Sequence, residues 1–229
     1  MNLVGLRETE IFSILKEIKN QKFVLIGGYA VNAYTLPRFS VDCDIVVEGE
    51  QHVEAISKIL VTKGYEKKEA DKIASDYYGA FFRYEKVLAE NFKVSMDILV
   101  NAVLDRRSNA TFAASWVFEN SSLCLLRGKT INEKLVLRII KPDALLAMKC
   151  VSCRSTDIRD IFMLIVHGEN MQWIRDEVQK RTNFRERAEM ITEKVKSPVF
   201  KNNLQGVYGF VDEKVFEKHK KMVVSFCES

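Results

Sequence analysis

The segment Ser40-Val-Asp-Cys-Asp-Ile-Val-Val47 restricts the fold more than any other part of the chain. As a strand its period of two puts Asp42 and Asp44 on one face and leaves Ile45, Val46 and Val47 to the core. A carboxylate buried without a partner is costly. The sheet that contains this strand must therefore keep one face available to a cation, a polar partner or water.

The surrounding pattern extends that reading. Ile11, Ile14, Leu15 and Ile18 recur at helical spacing, so an amphipathic helix is expected over about Arg7–Asn20. Lys22-Phe-Val-Leu-Ile26 reads as a buried strand stopped by Gly27-Gly28, and Tyr29–Tyr34 as a short helix ended before Pro37. Val53, Ile56 and Leu60 mark a helix that Gly64 can close in the left-handed region. Further strands are expected at Phe81–Tyr84, Phe92–Leu99, Leu123–Arg127 and Leu135–Ile140, and the charge-dense stretch Tyr65–Ser75 reads as a loop or short surface helix. After Lys141 the pattern turns helical. Pro142 suits a first helical position, and helices are expected over Asp143–Ser152, Asp157–Val166, Met171–Arg181, Arg185–Val195 and Val211–Val224. The expected fold is α/β in the α+β sense: a mixed-sheet core flanked by helices over residues 1–140, and a helical portion over residues 141–229. At 47% hydrophobic and 29% charged residues, with 3 Pro and 10 Gly, nothing in the composition points to disorder or a fibre.

A strand that runs into Gly27-Gly28 and then a helix can cradle an anion, because the missing Cβ atoms let backbone approach phosphate and the helix start offers free N–H groups. Asp42 and Asp44 then supply hard oxygen ligands suited to Mg²⁺. Asp97 interrupts the apolar strand Phe92-Lys-Val-Ser-Met-Asp-Ile-Leu-Val100, so a metal or a cation is expected beside it. The competing reading of Asp97 is a strand-end residue in a salt bridge.

Gly27-Gly28, a short helix, Arg38-Phe-Ser40, Asp42-Cys-Asp44 and the later Asp97 together resemble the polymerase-β-type nucleotidyltransferase superfamily. The resemblance implies two Mg²⁺ ions held by Asp42, Asp44 and Asp97, with Asp97 also a base toward the acceptor hydroxyl. It also implies contacts of Gly27, Gly28, Arg38 and Ser40 with the nucleotide, although Ser40 also suits a local turn. Lys141-Pro-Asp-Ala-Leu-Leu-Ala-Met-Lys149, Arg154 and Asp157-Ile-Arg-Asp160 are similar to the helical region of the AbiEii-type toxin nucleotidyltransferases. That likeness assigns Lys149 and Asp160 to the catalytic site. Lys149 would offset charge on the leaving pyrophosphate; the plainer alternative is an interhelical Lys149–Asp160 salt bridge.

The implied activity is transfer of a nucleoside monophosphate from a nucleoside triphosphate to an acceptor, either RNA such as tRNA, a protein or a small molecule, and it carries the expectation of an antitoxin partner. A nucleotide- or RNA-binding module without activity is the alternative. The net charge of +4 is compatible with a polyanionic partner. Cys43, Cys124, Cys150, Cys153 and Cys227 suggest a reduced, cytoplasmic setting, and no membrane association is expected. Cys150-Val-Ser-Cys153 lies in a predicted helix and reads as small buried residues rather than a zinc or redox pair.

Overall fold

A computed structural model describes residues 3–68 and 78–228. The chain divides into two compact units, the first made of Met1–Ala33, Phe39–Leu104 and Thr111–Ile140, the second of Tyr34–Arg38, Asp105–Ala110 and Lys141–Ser229.

In the first unit the elements are α1 (Leu3–Ile18), β1 (Val24–Ile26), α2 (Gly27–Asn32), β2 (Asp42–Val47), α3 (Glu50–Thr62), β3 (Glu66–Lys68), β4 (Ala80–Ala89), β5 (Phe92–Val100), β6 (Ala102–Leu104), β7 (Thr111–Ala113), α4 (Ala114–Glu119), β8 (Ser121–Arg127) and β9 (Lys134–Ile140). Seven strands form one sheet in the order β3-β4-β5-β2-β1-β9-β8, and β6 and β7 form a separate hairpin. The pairs β1–β9 and β2–β5 are parallel and the remainder antiparallel, so the sheet is mixed.

One face of this sheet is the core. On β2, Cys43, Ile45 and Val47 stand opposite Met96, Ile98 and Val100 of β5, and all six are essentially sealed from solvent. Helices α1 and α3 cover that face. Lys86 of β4 donates to Glu10 of α1 at 2.9 Å, and the hydroxyls of Ser57 on α3 and Tyr84 on β4 lie 2.7 Å apart. Ile11, Phe12, Ile14, Leu15 and Ile18 of α1 and Ile56 and Leu60 of α3 are fully buried, each apolar side chain contributing about 1.5–3 kcal/mol. With both helices on one side, the other face of β2 and β5 is left for the aspartates.

The expected helices and strands are present within a few residues, with instructive exceptions. α2 begins on the two glycines rather than after them. Of the charge-dense stretch Tyr65–Ser75, Glu66–Lys68 form β3 and residues 69–75 lie outside the described residues. β6, β7 and α4 span at most six residues, too few for a periodic signal to emerge.

The second unit contains α5 (Pro142–Ser152), α6 (Ser155–Leu164), a 3₁₀ turn (Ile165–His167), α7 (Met171–Gln179), α8 (Phe184–Lys196), α9 (Phe200–Tyr208) and α10 (Glu213–Glu228). No strand follows Ile140 among the described residues. Phe162 of α6 is the hub, its ring 5.1 Å from both Phe200 of α9 and Phe216 of α10. α9 was not expected from the sequence although its buried residues Phe200, Leu204 and Tyr208 recur at helical spacing; Gly206 inside it lowers helix propensity. Cys153 adopts φ 46°, in the left-handed region, and ends α5. Both Cys150 and Cys153 are buried thiols. Among the described residues no helix is long and apolar enough to cross a membrane.

One buried carboxylate fastens a loop of the first unit. Glu8, 4% exposed, accepts hydrogen bonds from the backbone N–H groups of Lys129 (2.5 Å) and Thr130 (2.7 Å) and from the Thr130 hydroxyl (2.6 Å). Glu8→Ala strands these donors, and urea denaturation is expected to show a loss of about 3 kcal/mol. A loss below about 0.5 kcal/mol would mean that the loop finds other partners.

Candidate active site

β2 is the middle strand of the seven, and β5 runs parallel beside it with Asp42 opposite Ser95 and Asp44 opposite Asp97. Residues paired across neighbouring strands share a face. The three carboxylates expected from sequence are thereby brought onto one face of the first unit. Asp42 and Asp44 are half-buried, whereas Asp97 is 3% exposed.

Gly27 links the glycine pair to this face. Its φ is +65°, a conformation that glycine adopts without strain. The place its Cβ would take is filled by the carboxylate of Asp44. The glycine therefore makes room for the protein's own carboxylate at the start of α2. Gly28 is buried in the same helix. Ser40 is half-buried just ahead of β2. The Ser95 hydroxyl donates to Oδ1 of Asp42 in a short hydrogen bond.

Asp97 sits mid-strand and not at a strand end, and the cation required by its burial is Arg83. Nε of Arg83 donates to Oδ1 at 2.9 Å and Nη2 to Oδ2 at 2.6 Å. Burial raises the Asp97 pKa, Arg83 opposes that rise, and the nearby charge of Asp42 adds to it, which leaves the carboxyl above its ordinary range. Among the described residues no three carboxylate, histidine or cysteine groups are arranged so as to hold a metal ion.

The second unit contains its own charged cluster, built around Asp160. Oδ1 accepts from Nε of Arg38 and from the Tyr208 hydroxyl, each at 2.7 Å. Oδ2 accepts from Nη2 of Arg38 at 2.7 Å and lies 2.9 Å from Nζ of Lys149. A carboxylate has roughly four lone-pair sites, so Asp160 is saturated. Lys149 also donates to Asp157 at 2.7 Å, and the second oxygen of Asp157 receives the Ser152 hydroxyl at 2.5 Å and the Arg154 N–H at 3.1 Å. The side chains of Asp160, Lys149 and Arg38 are 1%, 12% and 14% exposed. The interhelical Lys149–Asp160 salt bridge is thus present, and Arg38 joins it.

Burial alone would raise the Asp160 pKa, but Lys149 and Arg38 hold it down to about 2. Burial disfavours both cations, yet Asp160 and Asp157 outweigh it at Lys149, and Asp160 with Tyr208 outweighs it at Arg38, so both pKa values are raised. The network holds two cations and two anions, so it is neutral and each charge is kept by the others. Asp160, with all its acceptor sites filled, holds Arg38 and Lys149 in place and is not poised to take a proton.

Sequence reasoning missed Ser95, Arg83, Asp157 and Tyr208. Arg83 was legible in principle, because strand alternation places it on the opposite face from Phe82 and Tyr84, which flank it. Asp157 lies one helical turn before Asp160 and could have been read as its neighbour. Tyr208 ends the Phe200, Leu204, Tyr208 repeat of the unrecognised α9, a helical spacing that was passed over.

Replacing Asp160 by Asn leaves two buried cations undercompensated, and unfolding at neutral pH is expected to cost about 3 kcal/mol less than for the wild type. Because the folded-state pKa is depressed, the stabilisation is complete above the unfolded value of about 4 and is lost as pH falls through about 2. The gap between variant and wild type should therefore narrow over that window in urea titrations. Tyr208→Phe is expected to cost about 2 kcal/mol. A gap that stays constant down to pH 2 would show that Asp160 is not held by its cations.

No curated protein sequence matches the chain. Its fold is similar to that of the JHP933 crystal structure from Helicobacter pylori (TM-score 0.54, 14% identity, covering 100% of this chain and 91% of that one). It is also similar to MenT4, a nucleotidyltransferase toxin from Mycobacterium tuberculosis H37Rv (TM-score 0.59, 12% identity, covering 99% and 84%). The family model for the nucleotidyl transferase AbiEii toxin of type IV toxin–antitoxin systems matches residues 11–225, so the chain belongs to that family of nucleotidyltransferases.

Proposed function

We propose that this nucleotidyltransferase is metal-dependent, takes a nucleoside triphosphate, and transfers its nucleoside monophosphate to a hydroxyl of tRNA or of a protein as the toxin of a toxin–antitoxin pair. The observation that carries the reading is the register of β2 against β5, which aligns Asp42, Asp44 and Asp97 on one sheet face with Gly27 opened to admit the Asp44 carboxylate. The family description and the likeness to a toxin named as a nucleotidyltransferase support the toxin role and an antitoxin partner.

The oxygen donors suit magnesium in kind, while as they stand the three carboxylates are not grouped around a metal position. Carboxylate oxygens are the hard ligands this ion takes, and Asp42 and Asp44 are half-buried, hence within reach of solvent. Asp42 and Asp44 would hold the metal, with Asp97 joining them. Bound Mg²⁺ would supply charge neutralisation at the reacting phosphate. Asp97 takes the proton of the acceptor hydroxyl onto a carboxylate oxygen. The acceptor oxygen forms its bond to the α-phosphorus, the bond from that phosphorus to the bridging oxygen breaks, and pyrophosphate leaves. Lys149, kept charged by Asp157 and Asp160, is assigned to offset the charge of pyrophosphate, and Gly27, Gly28, Arg38 and Ser40 to phosphate contacts, as the resemblance implies.

The test is incubation of the purified chain with each α-³²P-labelled nucleoside triphosphate, Mg²⁺ and total cell RNA. Label is expected on RNA or on protein together with pyrophosphate, to be abolished by EDTA and reduced roughly a hundredfold or more by Asp42→Asn or Asp44→Asn. Lys149→Met is expected to slow transfer with little change in nucleotide affinity. Transfer that persists unchanged in EDTA and in both aspartate variants would sink the metal assignment.

A further inference from the structure

Arg83 is a cation on the carboxylate face that the transfer reaction described above does not use. It stands on β4 opposite Asp97, within a cross-strand row that runs Lys68, Arg83, Asp97, Asp44 over β3, β4, β5 and β2. The row passes from two positive to two negative side chains. Both Asp97 oxygens are turned to the Arg83 guanidinium.

Two facts bear on what this pairing does. Asp97 cannot give both oxygens to a guanidinium and also serve at full strength as ligand to a divalent cation, which the arginine itself repels. The partners also differ in accessibility, since the Arg83 side chain is 38% exposed and that of Asp97 5%. Arg83 can therefore swing away without a large burial penalty while Asp97 stays in the sheet. Arg38, 14% exposed and locked onto Asp160, has no such freedom. A guanidinium released beside Asp42 and Asp44 presents a planar fork of donors, which matches phosphate oxygens two at a time.

We propose that Arg83 is a latch on Asp97, which gives up the carboxylate in competition with a divalent cation and then binds a phosphate of the incoming nucleoside triphosphate. The proposal rests on the metal-dependent transfer reading. It assigns the salt bridge to the nucleotide-free state and makes metal loading and phosphate binding successive uses of the same pair. A plainer role, in which Arg83 stays on Asp97 and aims its oxygens at the metal, gives the opposite sign for metal affinity when the arginine is removed.

The deciding experiment measures Mn²⁺ binding to the full chain without nucleotide, from the loss of the free-ion electron paramagnetic resonance signal, together with kcat and KM for the nucleoside triphosphate. Mn²⁺ suits the same hard oxygen ligands as Mg²⁺. Arg83→Gln is expected to bind Mn²⁺ about tenfold more tightly than the wild type and to raise KM for the triphosphate by about tenfold. Arg83→Lys keeps a charge beside the buried Asp97 but loses the fork, so it should fold in any case and show the same two changes at smaller amplitude. Weaker or unchanged Mn²⁺ binding in both variants overturns the latch while leaving the metal site intact. Absence of Mn²⁺ binding in the wild type and in both variants overturns the metal reading and the latch with it.

Discussion

An aspartate in the middle of a buried strand is tolerable only beside a positive charge, and the Asp97–Arg83 pair meets that condition at the centre of the first unit. Asp97 lies on β5, flanked by β2 and β4, and is 3% exposed. Its register fixes the face on which Asp42 and Asp44 stand, and a shift of β2 by one residue would bring Cys43 onto this face and turn the aspartates into the apolar core. The core helices α1 and α3 enforce that register by burying the alternate residues. Hydrophobic packing on one side of the sheet thus places the carboxylates on the other.

The second unit solves the same electrostatic problem differently. Asp160 is more deeply buried than Asp97 and receives four donors instead of two, from Arg38, Lys149 and Tyr208. Cys153, in the left-handed conformation, ends α5 between Lys149 and the two aspartates of α6. A saturated, neutral network of this kind is rigid, because moving any member strands another in low dielectric.

The fold was legible where a periodic signal had room to develop. The apolar run into Gly27-Gly28, the alternation from Ser40 to Val47 and the helical repeats after Pro142 each identified their element within a few residues. The three-residue strands β6 and β7 were too short to show a period, and α9, interrupted by Gly206, was passed over. The candidate carboxylates were legible because charge inside an apolar strand demands a reason. Their partners were harder to read: strand alternation could place Arg83 on a polar face but not opposite Asp97, and Tyr208 is an ordinary residue until packing brings it to Asp160. That Gly27 leaves room for the Asp44 carboxylate was not legible, because a strand pattern does not show which side chain stands against a glycine.

These differences sort the acidic residues by what each can do. A group that must change partners during turnover needs access and a partner that can leave; a group that positions others needs burial and full satisfaction. Asp42 and Asp44 are half-buried on the sheet face opposite α1 and α3, and Asp97 is paired with an arginine that is itself partly exposed. Asp160 meets the opposite description, and its depressed pKa follows from the cations that enclose it. The superfamily resemblance names Asp42, Asp44 and Asp97 together and the toxin likeness places Asp160 with Lys149, and the surroundings divide them the same way: two half-buried carboxylates and one with a partly exposed partner, against one enclosed by cations.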